Sequence, residues 1–202
     1  MKRTCSAETV IDAPAEAIWA VVCDVTRVGE WSGECRGCSW VGGVRAPIPG
    51  ARFRGANRRS WLRWTRLNEI ITVNEPVQLN WRTIPSGPYP DSVEWQIDLA
   101  PENGSTRVRE SFTVLTMPRL MEWLLWAVVP AHRDRTHDLE SDLKRLKNLA
   151  EHSRVTALFL GTLNNAAFAA LAAGRRGRPR AGRPGRGRAD RAPGPVRVEA
   201  HL

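Results

Sequence analysis

The sequence predicts an α+β domain: an antiparallel sheet with one face covered by a helix, followed by a basic tail. Three observations carry this. Between residues 38 and 115 apolar side chains recur with a period of two, broken by Gly, Pro and Asn-Gly turn signals. From 118 to 151 the period becomes helical. All nine Trp lie at or before Trp126, so the aromatic content stops well short of the C-terminus.

The elements follow in order. TCSAETVID (4–12) reads as a strand. In APAEAIWAVVCDV, Pro14 suits a first helical turn, Glu16 lies near the positive helix end, and Ile18, Val21 and Val22 form an apolar face. TRVGEW reads as a second short helical turn, stopped by Gly29 or at Ser32-Gly33. Strands follow at 38–43, 51–58, 60–76, 78–84, 92–99 and 105–115. In 78–84 Leu79, Trp81 and Thr83 share a face. In 92–99 Val93, Trp95, Ile97 and Leu99 stand against Glu94, Gln96 and Asp98. Short connections such as PENG require antiparallel neighbours. An apolar helix at 118–129 carries Leu120, Trp123, Leu124 and Val128, and Pro130 breaks it. A second helix, 131–151, has Leu139, Leu143, Leu146 and Ala150 on one stripe.

Charge divides the chain at the same place. The formal net charge is +9, yet residues 1–153 carry 20 Lys and Arg against 19 Asp and Glu. Residues 154–202 carry 10 Arg against 2 acids. We expect a nearly neutral domain at 1–153 and a separate Ala-rich and Arg/Gly/Pro-rich tail at 154–202, compositionally disordered at its end. MKRTC is followed by an alternating polar stretch and not by an apolar signal region, so the expectation is a cytoplasmic chain with reduced thiols. Of the four Cys, only Cys35 and Cys38 form a Cys-x-x-Cys pair. One pair is too few for a metal site of the usual spacing, and the pair reads as two reduced thiols at a loop edge, with a redox dithiol as the alternative.

IDAPAEAIWAVVCDVTRVGEWS, GARFRGANRR, ITVNEP, NGSTRVRESFTVL and DLESDLKRLKNLAE together resemble the START/Bet v 1-like (SRPBCC) superfamily, and more narrowly its polyketide cyclase/dehydrase and lipid-transport group. The resemblance covers roughly residues 4–152. It implies a helix-grip fold: a seven-stranded curved antiparallel sheet around a long C-terminal helix, two short helices between the first two strands, and an apolar cavity between sheet and helix. It implies no cofactor and no metal.

Within such a cavity several residues stand out. Thr106, Val108, Glu110, Phe112 and Val114 share one face of the last strand, so an inward apolar face brings the Glu110 carboxylate with it. A carboxylate there would have a raised pKa, as acid–base chemistry needs; it would equally orient a ligand or pair with an Arg. His132 lies on the stripe of Thr136, Leu139 and Leu143, facing the cavity mouth, with a solvated or capping role as the alternative. His137 falls off that face, so His132 and His137 lack the i,i+4 spacing of a zinc pair. Phe53, from the Gly-x-x-Phe-x-Gly strand, and Trp64, Trp81, Trp95 and Phe112 are the expected aromatic wall, suited to a flat apolar ligand. No phosphate loop, nucleophile elbow or dinucleotide fingerprint is present.

Residues 155–173 are uncharged, but Asn164 and Asn165 interrupt them and Ala adds little to insertion, which argues against a membrane anchor. The Arg-rich stretch after them suits nonspecific contact with nucleic-acid phosphates. The leading expectation is a binder or carrier of a small hydrophobic, lipid- or polyketide-like molecule. A cyclase/dehydratase is the alternative, and nucleic-acid association through the tail a second one.

Overall fold

Seven strands, β1 (Thr4–Ile11), β2 (Cys35–Val41), β3 (Arg52–Arg59), β4 (Leu62–Asn74), β5 (Gln78–Thr83), β6 (Ser92–Glu102) and β7 (Ser105–Thr116), form one antiparallel sheet. The spatial order is β1-β7-β6-β5-β4-β3-β2, so the first two strands of the chain are its two edges. The computed structural model describes residues 2–128 and 133–152. These lie within the first of two compact units, Met1–Gly161, the second being Thr162–Leu202. The expectations for His132, for residues 155–173 and for the Arg-rich stretch fall outside the described residues.

Between the edge strands the chain makes two short helices, α1 (Ala15–Val22) and α2 (Val28–Trp31), joined by a 3₁₀ turn at Val25–Arg27. Pro14 precedes α1 in extended geometry and Glu16 sits in its first turn. Ile18, Trp19, Val21 and Val22 are its buried face. Asp24 starts the 3₁₀ turn by accepting from the Thr26 backbone N–H at 3.0 Å and from its hydroxyl at 2.6 Å. α2 packs against β2 so closely that a Cβ on Gly29 would lie 2.9 Å from the Arg36 carbonyl oxygen. Trp31 ends α2 and is fully buried.

The hairpin from β6 to β7 turns at Asn103 and Gly104, both with positive φ (48° and 89°), the geometry that an Asn-Gly pair supplies at least cost. On β7, Thr106, Val108, Glu110, Phe112 and Val114 are all buried, while Arg107 and Arg109 are exposed. Two helices follow, α3 (Arg119–Val128) and α4 (residues 136–152). α4 buries Leu139, Leu143, Leu146 and Ala150 in the same core as Ile11, Ile70, Leu79, Ile97 and Val108.

Most boundaries shift by a residue or two from the sequence expectation, and three shift further. β2 begins at Cys35 and not at 38, because the strand contains a bulge: its pairing with β3 slips between Cys35 and Gly37. Cys35 is therefore a buried strand residue and not part of a loop. β6 runs on to Glu102, leaving only Asn103-Gly104 as the turn. α4 starts at residue 136 and not at 131: Asp134 accepts from the Thr136 backbone N–H at 2.9 Å and from its hydroxyl at 2.6 Å, which fixes the first turn there.

Candidate functional site

The sheet, α2, α3 and the start of α4 enclose a cavity of about 330 Å³. Its aromatic wall comes from cross-strand neighbours. Trp81 on β5 stands opposite Trp95 on β6, and Trp95 opposite Phe112 on β7. The two indoles are nearly parallel (8°, centroids 6.4 Å apart), and Phe112 meets Trp95 edge-on at 4.9 Å. Phe53 on β3 continues the row, 6.4 Å from Trp81. Trp64 also lines the cavity. Met117, Met121 and Leu125 close it from the α3 side. Other large apolar side chains of α3, Leu120, Trp123, Leu124 and Trp126, are exposed.

Polar groups gather at two places on this wall. At one, Arg66 and Asp91 form a buried ion pair: one guanidinium nitrogen lies 2.8 Å from each carboxylate oxygen, and the other donates to the Asp91 carbonyl at 2.9 Å. The Tyr89 ring lies 5.3 Å from the same guanidinium. Both charges are removed from water, and their mutual bonds offset that cost.

At the other stand Glu110, Arg135 and Asp142. Glu110 is 2% exposed, and its Oε2 has no hydrogen-bond partner among the described residues. Burial, and then the nearby Asp142 carboxylate, hold its proton well above the usual carboxylate range, against the opposing pull of Arg135. The acid thus stays neutral into a pH range where a solvated Glu is charged, and a neutral carboxyl can donate a hydrogen bond. Asp142 joins α4 to the turn after α2, accepting from the Gly33 backbone N–H at 2.8 Å and from Arg145 at 2.9 Å. Burial pushes its pKa up to about 6, although the Gly33 N–H, Arg145 and Arg135 pull the other way. The Arg135 guanidinium lies over the rings of Phe112 (5.1 Å) and Trp95 (5.3 Å) and bonds the Glu34 carboxylate. Arg59 extends this chain of charges, bonding both oxygens of Asp138 at 2.8 and 2.9 Å and Glu34 at 3.3 Å.

Cys35 and Cys38 also line the cavity, their Sγ atoms 3.3 Å apart. No group of three or more metal-ligating side chains occurs among the described residues.

Of the residues singled out from sequence, Phe53, Trp64, Trp81, Trp95, Glu110 and Phe112 are brought together on the cavity wall. Thr136 is not. It is half-buried at the start of α4, and its hydroxyl bonds Asp134 and also lies 3.2 Å from Lys2 Nζ. The buried stripe of α4, followed back from Leu146, Asp142 and Leu139, arrives at Arg135 and not at Thr136. Arg66, a conceivable partner for Glu110, is taken by Asp91.

Sequence reasoning missed Arg135, Asp142, Asp91 and the thiols as wall residues. For Arg135 and Asp142 a signal existed: at i, i+7 they share the helical face of Leu139 and Leu146, two charged residues on an apolar stripe. Asp91 and Tyr89 come from an irregular loop, where no periodicity reports facing.

Residues 2–151 match the family described as "Polyketide cyclase / dehydrase and lipid transport". The chain belongs to this family. Its helix-grip architecture is shared with solved structures of the START/Bet v 1 superfamily. The protein TTHA0849 from Thermus thermophilus is 20% identical at a TM-score of 0.58, the match covering 74% of this chain and 98% of that one. A START superfamily protein from Mycobacterium smegmatis is 18% identical at 0.53, covering 74% and 97%. The ginseng major latex-like protein 151 from Panax ginseng is 11% identical at 0.52, covering 73% and 96%. At these identities the likeness is one of fold. Comparison with curated proteins gives no match. Among the described residues no helix is long and apolar enough to cross a membrane.

Proposed function

We propose that this family member binds or carries a small, flat, hydrophobic molecule that bears a polar group. The observation that carries the reading is the pairing of an aromatic row with the buried, unpartnered Oε2 of Glu110 on one cavity wall. Aromatic faces supply area for a planar apolar ligand. A buried carboxyl oxygen without a partner among the described residues is costly unless something bonds it, and a ligand hydroxyl, amine or carbonyl meets that need. The cavity of about 330 Å³ is at the small end of ligand pockets, which favours a compact molecule over a long acyl chain.

Native mass spectrometry of the protein purified from its own host tests this. A stoichiometric small molecule should accompany the folded chain and be lost on denaturation. A chain that carries nothing, and whose Trp fluorescence is unmoved by any of a panel of planar apolar probes, would refute the reading.

A second reading, cyclase/dehydratase-type catalysis, is favoured by one observation: Glu110 and Asp142 both hold protons more tightly than ordinary carboxyls, and the Asp142 charge adds to the effect at Glu110. A neutral Glu110 can donate to a ligand carbonyl, polarising it for proton loss at the adjacent carbon. Turnover of a linear poly-β-ketone that disappears in Glu110→Gln, while binding persists, would distinguish catalysis from carriage.

A further inference from the structure

The Cys35/Cys38 pair lines the cavity and the ligand reading leaves it unused. Side chains three residues apart on a regular strand point to opposite faces. Here the bulge between Cys35 and Gly37 supplies the extra residue, and both thiols turn to the cavity. Their sulfurs are 3.3 Å apart, and a disulfide bond needs about 2.05 Å, so closure asks for a movement of about 1.3 Å. The site has room for it: the residue opposite Cys38 on β3 is Gly55, where a Cβ would touch the Cys38 sulfur at 3.5 Å. A bulged strand at a sheet edge is also the place where such an adjustment disturbs fewest ladder bonds.

We propose that Cys35 and Cys38 form a thiol–disulfide exchange site opening on the cavity, whose substrate is a small aliphatic disulfide. The Cys35 thiolate attacks one sulfur of RS–SR. That S–S bond breaks, one RS⁻ leaves and takes up a proton, and Cys35 carries the mixed disulfide. Cys38 then gives up its proton and attacks the Cys35 sulfur, expelling the second RS⁻, which is protonated in turn. Two protein thiols are oxidised to one disulfide, and one small disulfide is reduced to two thiols. The order follows from the surroundings. With Cys35 ionised, the Cys38 S–H is the donor across the 3.3 Å contact, and the Gly37 backbone N–H also favours that thiolate, so Cys35 ionises more readily than an ordinary thiol despite burial. The same contact, together with burial, keeps Cys38 protonated until Cys35 has reacted. This site needs no hydrophobic ligand and stands apart from the reading above.

The experiment treats the full chain with bis(2-hydroxyethyl) disulfide, quenches with acid and digests with trypsin without reduction. Trypsin cuts after Arg36, between the thiols, so an internal disulfide holds residues 28–36 and 37–45 together as one species. The parent should yield that linked species and lose two hydrogens in intact mass. Cys38→Ser should stall with one mercaptoethanol adduct on Cys35, and Cys35→Ser should react at Cys38 at least about tenfold more slowly. A folded parent that stays reduced, or that keeps stable adducts without forming the link, would overturn the proposal. The reverse order of reactivity in the two variants would overturn Cys35 as the attacking thiol.

Discussion

Glu110 and Thr136 are both single side chains, and they separate what alternation can and cannot reveal. On β7 the period of two placed Glu110 among Val108, Phe112 and Val114, and the strand buries all four. Whether a residue faces inward on a strand is a two-way choice, and flanking apolar residues decide it. On a helix the choice is angular: Arg135 and Thr136 stand four and three residues before Leu139, both near its face, and of the two it is Arg135 that is buried. A consequence for stability follows from the Glu110 proton. Its affinity is raised above the ordinary value of 4.5, so the folded state binds more protons than the unfolded chain from that pH upward. The stabilising contribution is complete below about pH 4.5 and is lost as pH rises toward the folded pKa, at about 1.4 kcal/mol per pH unit. Asp142 adds a loss of the same sign between 3.8 and about 6. Glu110→Gln keeps the shape and removes its share of the slope. Chemical denaturation across pH 4–8 should find the variant equal to the parent at the acid end and increasingly more stable above it. A variant that is clearly less stable at pH 8 would mean that Glu110 is a bonded structural carboxylate.

At the scale of elements, the sheet was legible because its strands alternate and its turns carry Gly, Pro and Asn-Gly. Bulges were not, because an extra residue leaves no mark on composition; Cys35 was read as a loop residue for that reason. The contact between α2 and β2 was equally hidden, since a Gly in VGEW reads as a helix stop. In the fold Gly29 is instead the point where the helix meets the backbone of the next strand, 2.9 Å from the Arg36 carbonyl oxygen if a Cβ is added. The obstacle is main chain, which has few ways to yield. Gly29→Ala should destabilise the domain by about 1–3 kcal/mol through overpacking, although alanine is the better helix former. A thermal melt checks this, and an unchanged or raised midpoint would show that α2 slides freely over β2.

For the whole molecule, composition and charge divide the chain near residue 153, and the family match ends at residue 151. The seven strands and α4 together complete one buried core by residue 150. Truncation after Ser153 should therefore leave a soluble protein with a single cooperative melt, and an insoluble or molten product would place part of the tail in the core. The ten Arg beyond residue 153 set a second expectation for the same pair of proteins. The full chain should bind duplex DNA weakly and lose it steeply with salt, and the truncated chain should not bind. Equal binding by both would return a nucleic-acid role to the domain. Ligand identity was not legible at any scale, because ring faces and a lone carboxyl define a chemistry and not a compound.

The bulge in β2 has a further effect, on encounters between molecules. Because the sheet is open, β1 and β2 are its edge strands, and backbone donors and acceptors left free along an edge invite a strand from another copy; on β2, α2 already lies against the main chain at Arg36 and Gly37. β1 carries the exposed, charged Glu8, and exposed Arg3 directly precedes the strand. β2 has the slipped register at Cys35 to Gly37, which bends the edge and breaks the even spacing that an incoming strand would need. The irregularity that brings two thiols together thereby also discourages edge-to-edge polymerisation, and a one-residue deletion that straightened β2 would expose the protein to fibrous aggregation.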